Sequence, residues 1–284
     1  MLAPDRPLEF ALAFGISVPL VVAAILLGHR FELLDRPRPP LKPHGRAVPY
    51  LGGSAIVAAM LVLGPLGDVP WTVLAGLLLM WLVGSVDDVR GISPLVKLGA
   101  ELPPLAVSIA GLGLDPVAAL VWIAIGLVLV NAFNVVDGLD GLAGGVALPG
   151  LFVLAASPGW GGALAAIAAG ATCGFLAFNL RPARIFLADQ GSLVIGQVLW
   201  LVPLAFFRSQ PATAAWVPWV ALWLFPIVNS AFVVAARLRG GRSILRGDRS
   251  HLYDVINQRA GLTTTLVVCW AIAAVGAVGV LVLA

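Results

Sequence analysis

The chain has 284 residues, 60% of them hydrophobic and only 11% charged, with a mean hydropathy of +1.02. Soluble domains carry about 25% charged residues, so a soluble globular protein is excluded, and no polar stretch is long enough to fold into a soluble domain. The net charge of +3 does not signal a nucleic-acid partner, because a membrane accounts for where the basic residues lie. Cys173 and Cys269 both sit in apolar runs, which speaks against a disulfide framework.

A helix crosses the bilayer core with about 20 mostly apolar residues, and helices satisfy their own backbone groups there. Ten such spans are predicted, at 8–29, 51–67, 71–86, 95–112, 115–133, 142–157, 160–179, 192–207, 214–236 and 263–284. The first follows "MLAPDRPLEF", which lacks a basic n-region and a small-residue cleavage signal, and is expected to be retained as a span. Trp216, Trp219 and Trp223 share a helical face near the outer end of the ninth and are expected in an aromatic belt. Gly141, Gly144 and Gly145 are expected to serve close helix packing. No internal repeat suggests the inverted halves of a transporter.

With the N-terminus outside, the inner loops hold Arg30, Arg36, Arg38, Lys42 and Arg46; Arg90 and Lys97; Arg181 and Arg184; and Arg237, Arg239, Arg242, Arg246, Arg249 and Arg259. Those are fifteen of the 17 basic residues, leaving Arg6 and Arg208 outside. Positive residues concentrate on the cytoplasmic side of membrane proteins. The expectation is an all-α polytopic membrane protein, one transmembrane domain over residues 1–284, with both termini outside and its active site on the cytoplasmic face.

Asp5, Glu9, Asp68 and Asp115 lie near outer ends, whereas Asp87, Asp88, Asp137, Asp140 and Asp189 gather at inner ends in three short motifs. Ionisable groups beside a membrane are expensive, so such clustering points to function. In "VGSVDDVRGISPLVKLGAE" two adjacent carboxylates need cations nearby to stay ionised together, and Arg90, Lys97 or a divalent metal would supply them. This is not a DDxxD pair, since Gly91 stands at the last position. In "NAFNVVDGLDGLAGGV", Asn134, Asp137 and Asp140 recur at steps of three. On a helix they would share one face and offer the hard oxygens that Mg²⁺ prefers, with Gly138 and Gly141 leaving room for a phosphate. In "IFLADQGSLVIG", Asp189 precedes a Gly-Ser that can open a helix whose N-terminus would favour an anion. "RGDRSHLYDVINQRAGLT" gathers Arg246, Arg249, His251 and Arg259 in a basic cluster suited to a diphosphate. The Pro-rich first inner loop adds Lys42 and His44. Acidic metal ligands and basic anion ligands on one face suit phosphoryl transfer.

These motifs, "KPHGRAVPYLGG", "VDDVRG-SPLVKL", "NAFNVVDGLDGLAGG", "FLADQGSL" and "DRSHLYD", follow one another in family order over nearly the whole chain. The chain resembles the polyprenyl-phosphate N-acetylhexosamine-1-phosphate transferases, the superfamily that also includes the phospho-MurNAc-pentapeptide translocases. The resemblance implies a Mg²⁺-dependent reaction, with Mn²⁺ able to stand in. The phosphate of undecaprenyl or another polyprenyl phosphate attacks a UDP-N-acetylhexosamine in the cytoplasmic (inner) membrane, releasing UMP and starting a lipid-linked glycan. A homodimer is an allowed assembly. Carried over by motif, Asp189 and Asn134 are expected as Mg²⁺ ligands, and Asp87 and Asp88 as catalytic residues at the lipid-phosphate or base end. Asp137 and Asp140 are expected to shape the site, and Lys97, His251, Arg249, Lys42 and His44 to bind phosphate. Two departures from the family pattern stand out: Ala188 occupies a frequent glycine position, and His251 stands alone in "SHLYD". The lone histidine resembles the branch that initiates O-antigen, capsule and other surface polysaccharides, with UDP-GlcNAc or a related donor, more than the UDP-MurNAc-pentapeptide branch. An ion-coupled transporter is the rival of another class; it would place its ionisable residues near mid-membrane.

Overall fold

The computed structural model describes residues 6–37, 45–207, 220–243 and 248–283. Ten helices of ten or more residues follow in chain order among them: α1 Pro7–Arg30, α2 Gly52–Leu63, α3 Trp71–Arg90, α4 Pro94–Ile109, α5 Pro116–Asn134, α6 Leu142–Ala155, α7 Gly159–Asn179, α8 Ala188–Phe207, α9 Leu224–Arg239 and α10 Leu252–Leu283. Among the described residues, seven helices are long and apolar enough to cross a membrane, while α2 with its following 3-10 turn and α6 are shorter apolar helices. This is an all-α polytopic membrane protein. The only strand pairing among the described residues is a two-residue antiparallel ladder, Leu34–Asp35 with Val48–Pro49.

Local chemistry sets the helix ends. Ser93 and Asp115 cap the starts of α4 and α5, each just before a proline at the first helical position, with Asp115 accepting from the Val117 and Ala118 amides at 3.0 Å. α3 stops where Gly91 turns left-handed (φ 63°).

α7 and α8 run through the middle of the bundle, 78% and 83% buried, while the outer helices keep apolar faces for lipid. The alanines and glycines of α7 let α1 lie almost backbone to backbone, because a Cβ on Gly170 would stand 2.2 Å from the Phe10 carbonyl oxygen. Small residues are what allow such approach in lipid, where apolar side chains gain nothing by leaving the acyl chains.

Four expectations are corrected here. Asn134 ends α5, and residues 135–141 form turns before α6, so Asn134, Asp137 and Asp140 do not share a helical face. α8 begins at Ala188, four residues before the apolar run, because its polar first turn is buried against other helices rather than exposed. Trp223 is 1% exposed and belongs to the core, not to a belt; Trp216 and Trp219 lie outside the described residues. The predicted last span is preceded by a further helical stretch from Leu252, separated from it by a break at Gly261 (φ 79°, ψ 169°), a conformation open to glycine.

Candidate active site

The site forms where the C-terminal end of α3, the N-terminal end of α4, the C-terminal end of α5 and the N-terminal end of α8 meet. Three glycines permit it. A Cβ on Gly84 of α3 would lie 2.5 Å from the Gln190 backbone, and one on Gly53 of α2 would lie 2.3 Å from the Gly191 nitrogen. α8 therefore starts in direct backbone contact with α2 and α3, and Gly191 in turn faces Gly53.

Asp88 fastens this junction. Its two oxygens accept from the Asp189 amide at 3.0 Å and the Gln190 amide at 3.1 Å, with a third bond from Gln190 Nε2 at 3.2 Å. The anion that the helix N-terminus attracts is thus a side chain of α3. The sequence placed Asp88 beside Asp87 in catalysis. Both its oxygens are instead engaged in holding α8, which makes it a support. Gln190 is 1% exposed; it also donates to the Tyr50 carbonyl at 2.7 Å and meets the Ser54 hydroxyl, to which the Trp81 indole donates at 3.0 Å. One buried amide therefore ties the start of α2, the middle of α3 and the start of α8 together.

Lys97 is the hub of the charged cluster. Its ammonium pairs with Asp87 Oδ2 at 3.0 Å, with Asp189 Oδ2, and with Asn134 Oδ1 at 3.5 Å. The Asn134 amide nitrogen donates to Asp189 Oδ1 at 2.9 Å and to Ser192 Oγ at 2.7 Å, which fixes the amide's orientation and turns its oxygen toward Lys97. Asp87 is itself held by the Ile92 amide at 2.9 Å, across the left-handed Gly91. Three hard oxygens from α3, α5 and α8 thus converge on one cationic centre.

That observation tests the fit of a metal. Among the described residues no three carboxylates, histidines or cysteines already surround a common ligating point. The point on which Asp87, Asp189 and Asn134 do converge is held by an ammonium, and their oxygens are the donor type that Mg²⁺ and Mn²⁺ take. The donor set fits a divalent cation in place of the ammonium.

The loop from 135 to 141 closes one side. Asp137 is half-buried; burial, followed by the Asp189 and Asp88 carboxylates, pushes its pKa up to about 8. Asp140 accepts from the Ala183 amide at 3.1 Å, and Arg46 donates to the Ala183 carbonyl at 2.9 Å, so Asp140 braces the segment leading into α8. Gly141 is left-handed (φ 77°), and its amide donates to Asn179 Oδ1 at 2.9 Å. Gly138 leaves no room for a phosphate, because a Cβ there would lie 2.0 Å from the Tyr253 hydroxyl. Gly145 receives the Trp270 indole of α10, at 2.0 Å from such a Cβ, so it serves close packing. Ala188 adopts φ 59°, a left-handed conformation that glycine enters without strain.

The segment from Asp248 to Asp254 docks on that loop. Tyr253 donates to the Val135 carbonyl at 3.3 Å, and Arg249 donates to the Gly138 carbonyl at 3.2 Å while pairing with Asp254 at 2.6 Å. Arg249, expected as a phosphate ligand, thus joins the two loops. Arg237 and Arg242 both pair with Asp248, at 3.2 Å and 2.8 Å. His251 is 8% exposed, stacks on Tyr253 with centroids 4.8 Å apart, and its Nδ1 has no hydrogen-bond partner among the described residues. Burial, then the charge of Arg237, lowers its pKa to about 4; Asp248 pulls it upward, and Arg249 adds a smaller pull downward. The unfolded chain, with a pKa near 6.5, therefore binds more protons between pH 4 and 6.5, and stability rises with pH across that window. Thermal melts in detergent should show wild type losing stability relative to His251→Gln as the pH falls from 6.5 toward 4, while Asp137, raised to about 8, acts in the opposite sense on both. Identical slopes in the two proteins would show that His251 titrates normally.

Lys42, His44 and Arg246 lie outside the described residues. Sequence reasoning missed Gln190, Ser192, Ser54, Asn131 and Glu101. Gln190 and Ser192 lie inside the quoted "IFLADQGSLVIG" beside Asp189, and Glu101 follows Lys97 by four residues, one helical turn. Asn131 opens the quoted "NAFNVVDGLDGLAGGV", whereas Ser54 carries no local signal.

Residues 70–207 match the sequence profile of glycosyl transferase family 4. The chain is 30% identical over 263 residues to the undecaprenyl-phosphate alpha-N-acetylglucosaminyl 1-phosphate transferase of Thermotoga maritima, covering 89% of this chain and 82% of that one. It is 29% identical over 280 residues to a probable undecaprenyl-phosphate N-acetylglucosaminyl 1-phosphate transferase of Bacillus subtilis, covering 88% and 77%. A phospho-N-acetylmuramoyl-pentapeptide-transferase of Thermotoga neapolitana is 32% identical over 197 residues, covering 60% and 65%.

Proposed function

Because this chain belongs to glycosyl transferase family 4, we propose that it transfers an N-acetylhexosamine 1-phosphate from a UDP-sugar to a polyprenyl phosphate, releasing UMP. The relatives that align over 89%, 88% and 82% of this chain are named for N-acetylglucosamine, which favours UDP-GlcNAc as the donor and undecaprenyl phosphate, or a similar lipid, as the acceptor. The single observation that carries the reading is the convergence of Asp87, Asn134 and Asp189 on the Lys97 ammonium.

Asp87, Asp189 and Asn134 would hold Mg²⁺, or Mn²⁺ in its place, which when bound neutralises and polarises phosphate oxygens. An oxygen of the lipid phosphate attacks the sugar-linked phosphorus; the bond to the UMP oxygen breaks and the electron pair leaves with UMP. A phosphate monoester with a second pKa of about 6 is already largely dianionic at neutral pH, so the attack needs little help from a base. Asp88, with both oxygens occupied, accordingly acts on the position of Asp189. Asp137 and Asp140 shape the loop beside the cluster. His251, held neutral, offers a hydrogen bond rather than a charge.

The basic loops beside the cluster support a site on the cytoplasmic side of a cytoplasmic membrane. The phospho-N-acetylmuramoyl-pentapeptide reading is weaker, since relatives so named align over 60% and 74% of this chain, less than the 89%, 88% and 82% of those three named for N-acetylglucosamine, and His251 stands alone. A transporter is disfavoured because the charged cluster lies at helix ends.

The test uses purified chain, undecaprenyl phosphate and UDP-GlcNAc labelled in the phosphate attached to the sugar. The label should pass into the lipid extract, stop with EDTA and resume with Mg²⁺. Label that stays in water as sugar phosphate, or transfer that ignores EDTA, would overturn the reading.

A further inference from the structure

One turn beyond Lys97 on α4 stands Glu101, 0% exposed. Its Oε2 accepts from the Asn131 side chain of α5, whose nitrogen also donates to the Leu127 carbonyl at 2.9 Å. Its Oε1 has no hydrogen-bond partner among the described residues. A buried carboxylate oxygen left without a donor is costly, the more so when charged. Residues four apart on a helix are neighbours on one face, and a lysine carries three donors on a flexible four-carbon stem. The open oxygen of Glu101 therefore lies one helical turn from an ammonium that occupies the point where the hard oxygens converge.

That ammonium and a divalent cation cannot share Asp87 and Asp189, since like charges at contact distance repel strongly in a buried site. We propose that Glu101 is the second seat of the Lys97 ammonium: a cation entering between Asp87 and Asp189 displaces it, and it turns along α4 onto the open Glu101 oxygen. Both arrangements then leave Asp87 and Asp189 compensated. Without the cation Lys97 neutralises the aspartates and Glu101 is open; with it, the cation neutralises them and Lys97 closes Glu101. Glu101 is thus a positioning residue, acting on the site through Lys97. Asn131, by gripping the other oxygen, keeps this seat aimed. The inference rests on reading Asp87, Asp189 and Asn134 as the cation's ligands.

The test is Mn²⁺ binding to purified full-length protein, read from the electron paramagnetic resonance of free Mn²⁺, which needs no turnover. Wild type, Glu101→Gln, Lys97→Met, the double variant and Asp189→Asn are compared. Glu101→Gln, which keeps the shape and the bond to Asn131, should weaken binding roughly tenfold while Lys97 is present. It should weaken binding less than about twofold in the Lys97→Met background, the coupling expected of two residues in one network. Lys97→Met alone should tighten binding. Equal weakening by Glu101→Gln in both backgrounds would show a simple through-space charge and overturn the second seat. If Glu101→Gln does not fold, Lys97→Met still decides: tighter binding supports the displacement, and unchanged or weaker binding overturns it. Mn²⁺ that does not bind, or binds equally well to Asp189→Asn, would overturn the cation reading and the second seat together.

Discussion

Replacing Asp189 by asparagine is expected to reduce transfer by roughly a thousandfold or more, the scale seen when a charged group at a phosphoryl or oxyanion centre is removed. The fold should survive. α8 is fastened to α3 through the backbone amides of residues 189 and 190, which Asp88 accepts at 3.0 and 3.1 Å, and that bond does not use the side chain of residue 189. Asparagine also keeps one acceptor for the Asn134 amide, now 2.9 Å from Asp189 Oδ1. What is lost is the negative charge opposite Asp87 and Lys97. Rates and thermal melts on the same preparation separate the two effects: a variant that melts like wild type and does not transfer fits the account. One that transfers within several-fold of wild type removes Asp189 from the site.

Gly84→Val should act in the opposite way, through the fold. Any Cβ at residue 84 would lie 2.5 Å from the Gln190 nitrogen and Cα and 2.6 Å from the Asp189 carbonyl carbon. These are backbone atoms of a central helix and have no rotamer to yield. α3 and α8 must separate, and Asp88 then loses the two amides. Overpacking and unmade buried hydrogen bonds together should cost about 3 kcal/mol or more, with transfer lost alongside stability. Gly99→Ala is the matched control, since a Cβ there meets nothing within 4 Å, and it should leave the melt within about 0.5 kcal/mol. Equal melting of Gly84→Val and wild type would show that the helices do not approach as described.

The helices were readable because lipid imposes one rule along the whole chain, a run of apolar residues long enough to cross it. The rule fails where the bundle, rather than lipid, surrounds a helix. The first turn of α8 reads "ADQGS" and looks like a loop; Asp88, Tyr50 and Ser54 give its polar groups partners inside the protein. The three-residue spacing of Asn134, Asp137 and Asp140 suggested a helix, but α5 ends at Asn134 and Gly141 turns left-handed. Asp87, Asn134, Asp189 and Lys97 were all singled out from their motifs. Their meeting point was not, since it depends on glycines at 53, 84 and 191 that only the packing explains. Asp88 beside Asp87 looked equivalent to it. One helical residue step, about 100° of rotation, turns the first toward the backbone of α8 and the second toward Lys97.

Release of UMP by the purified chain, supplied with Mg²⁺ and UDP-GlcNAc, with and without undecaprenyl phosphate, tests the central claim most directly. The account predicts UMP only when donor, lipid phosphate and metal are present together, and loss of that release in Asp189→Asn. UMP formed equally well without the lipid would show hydrolysis rather than transfer. No UMP from any UDP-N-acetyl sugar that the protein demonstrably binds would contradict the account outright.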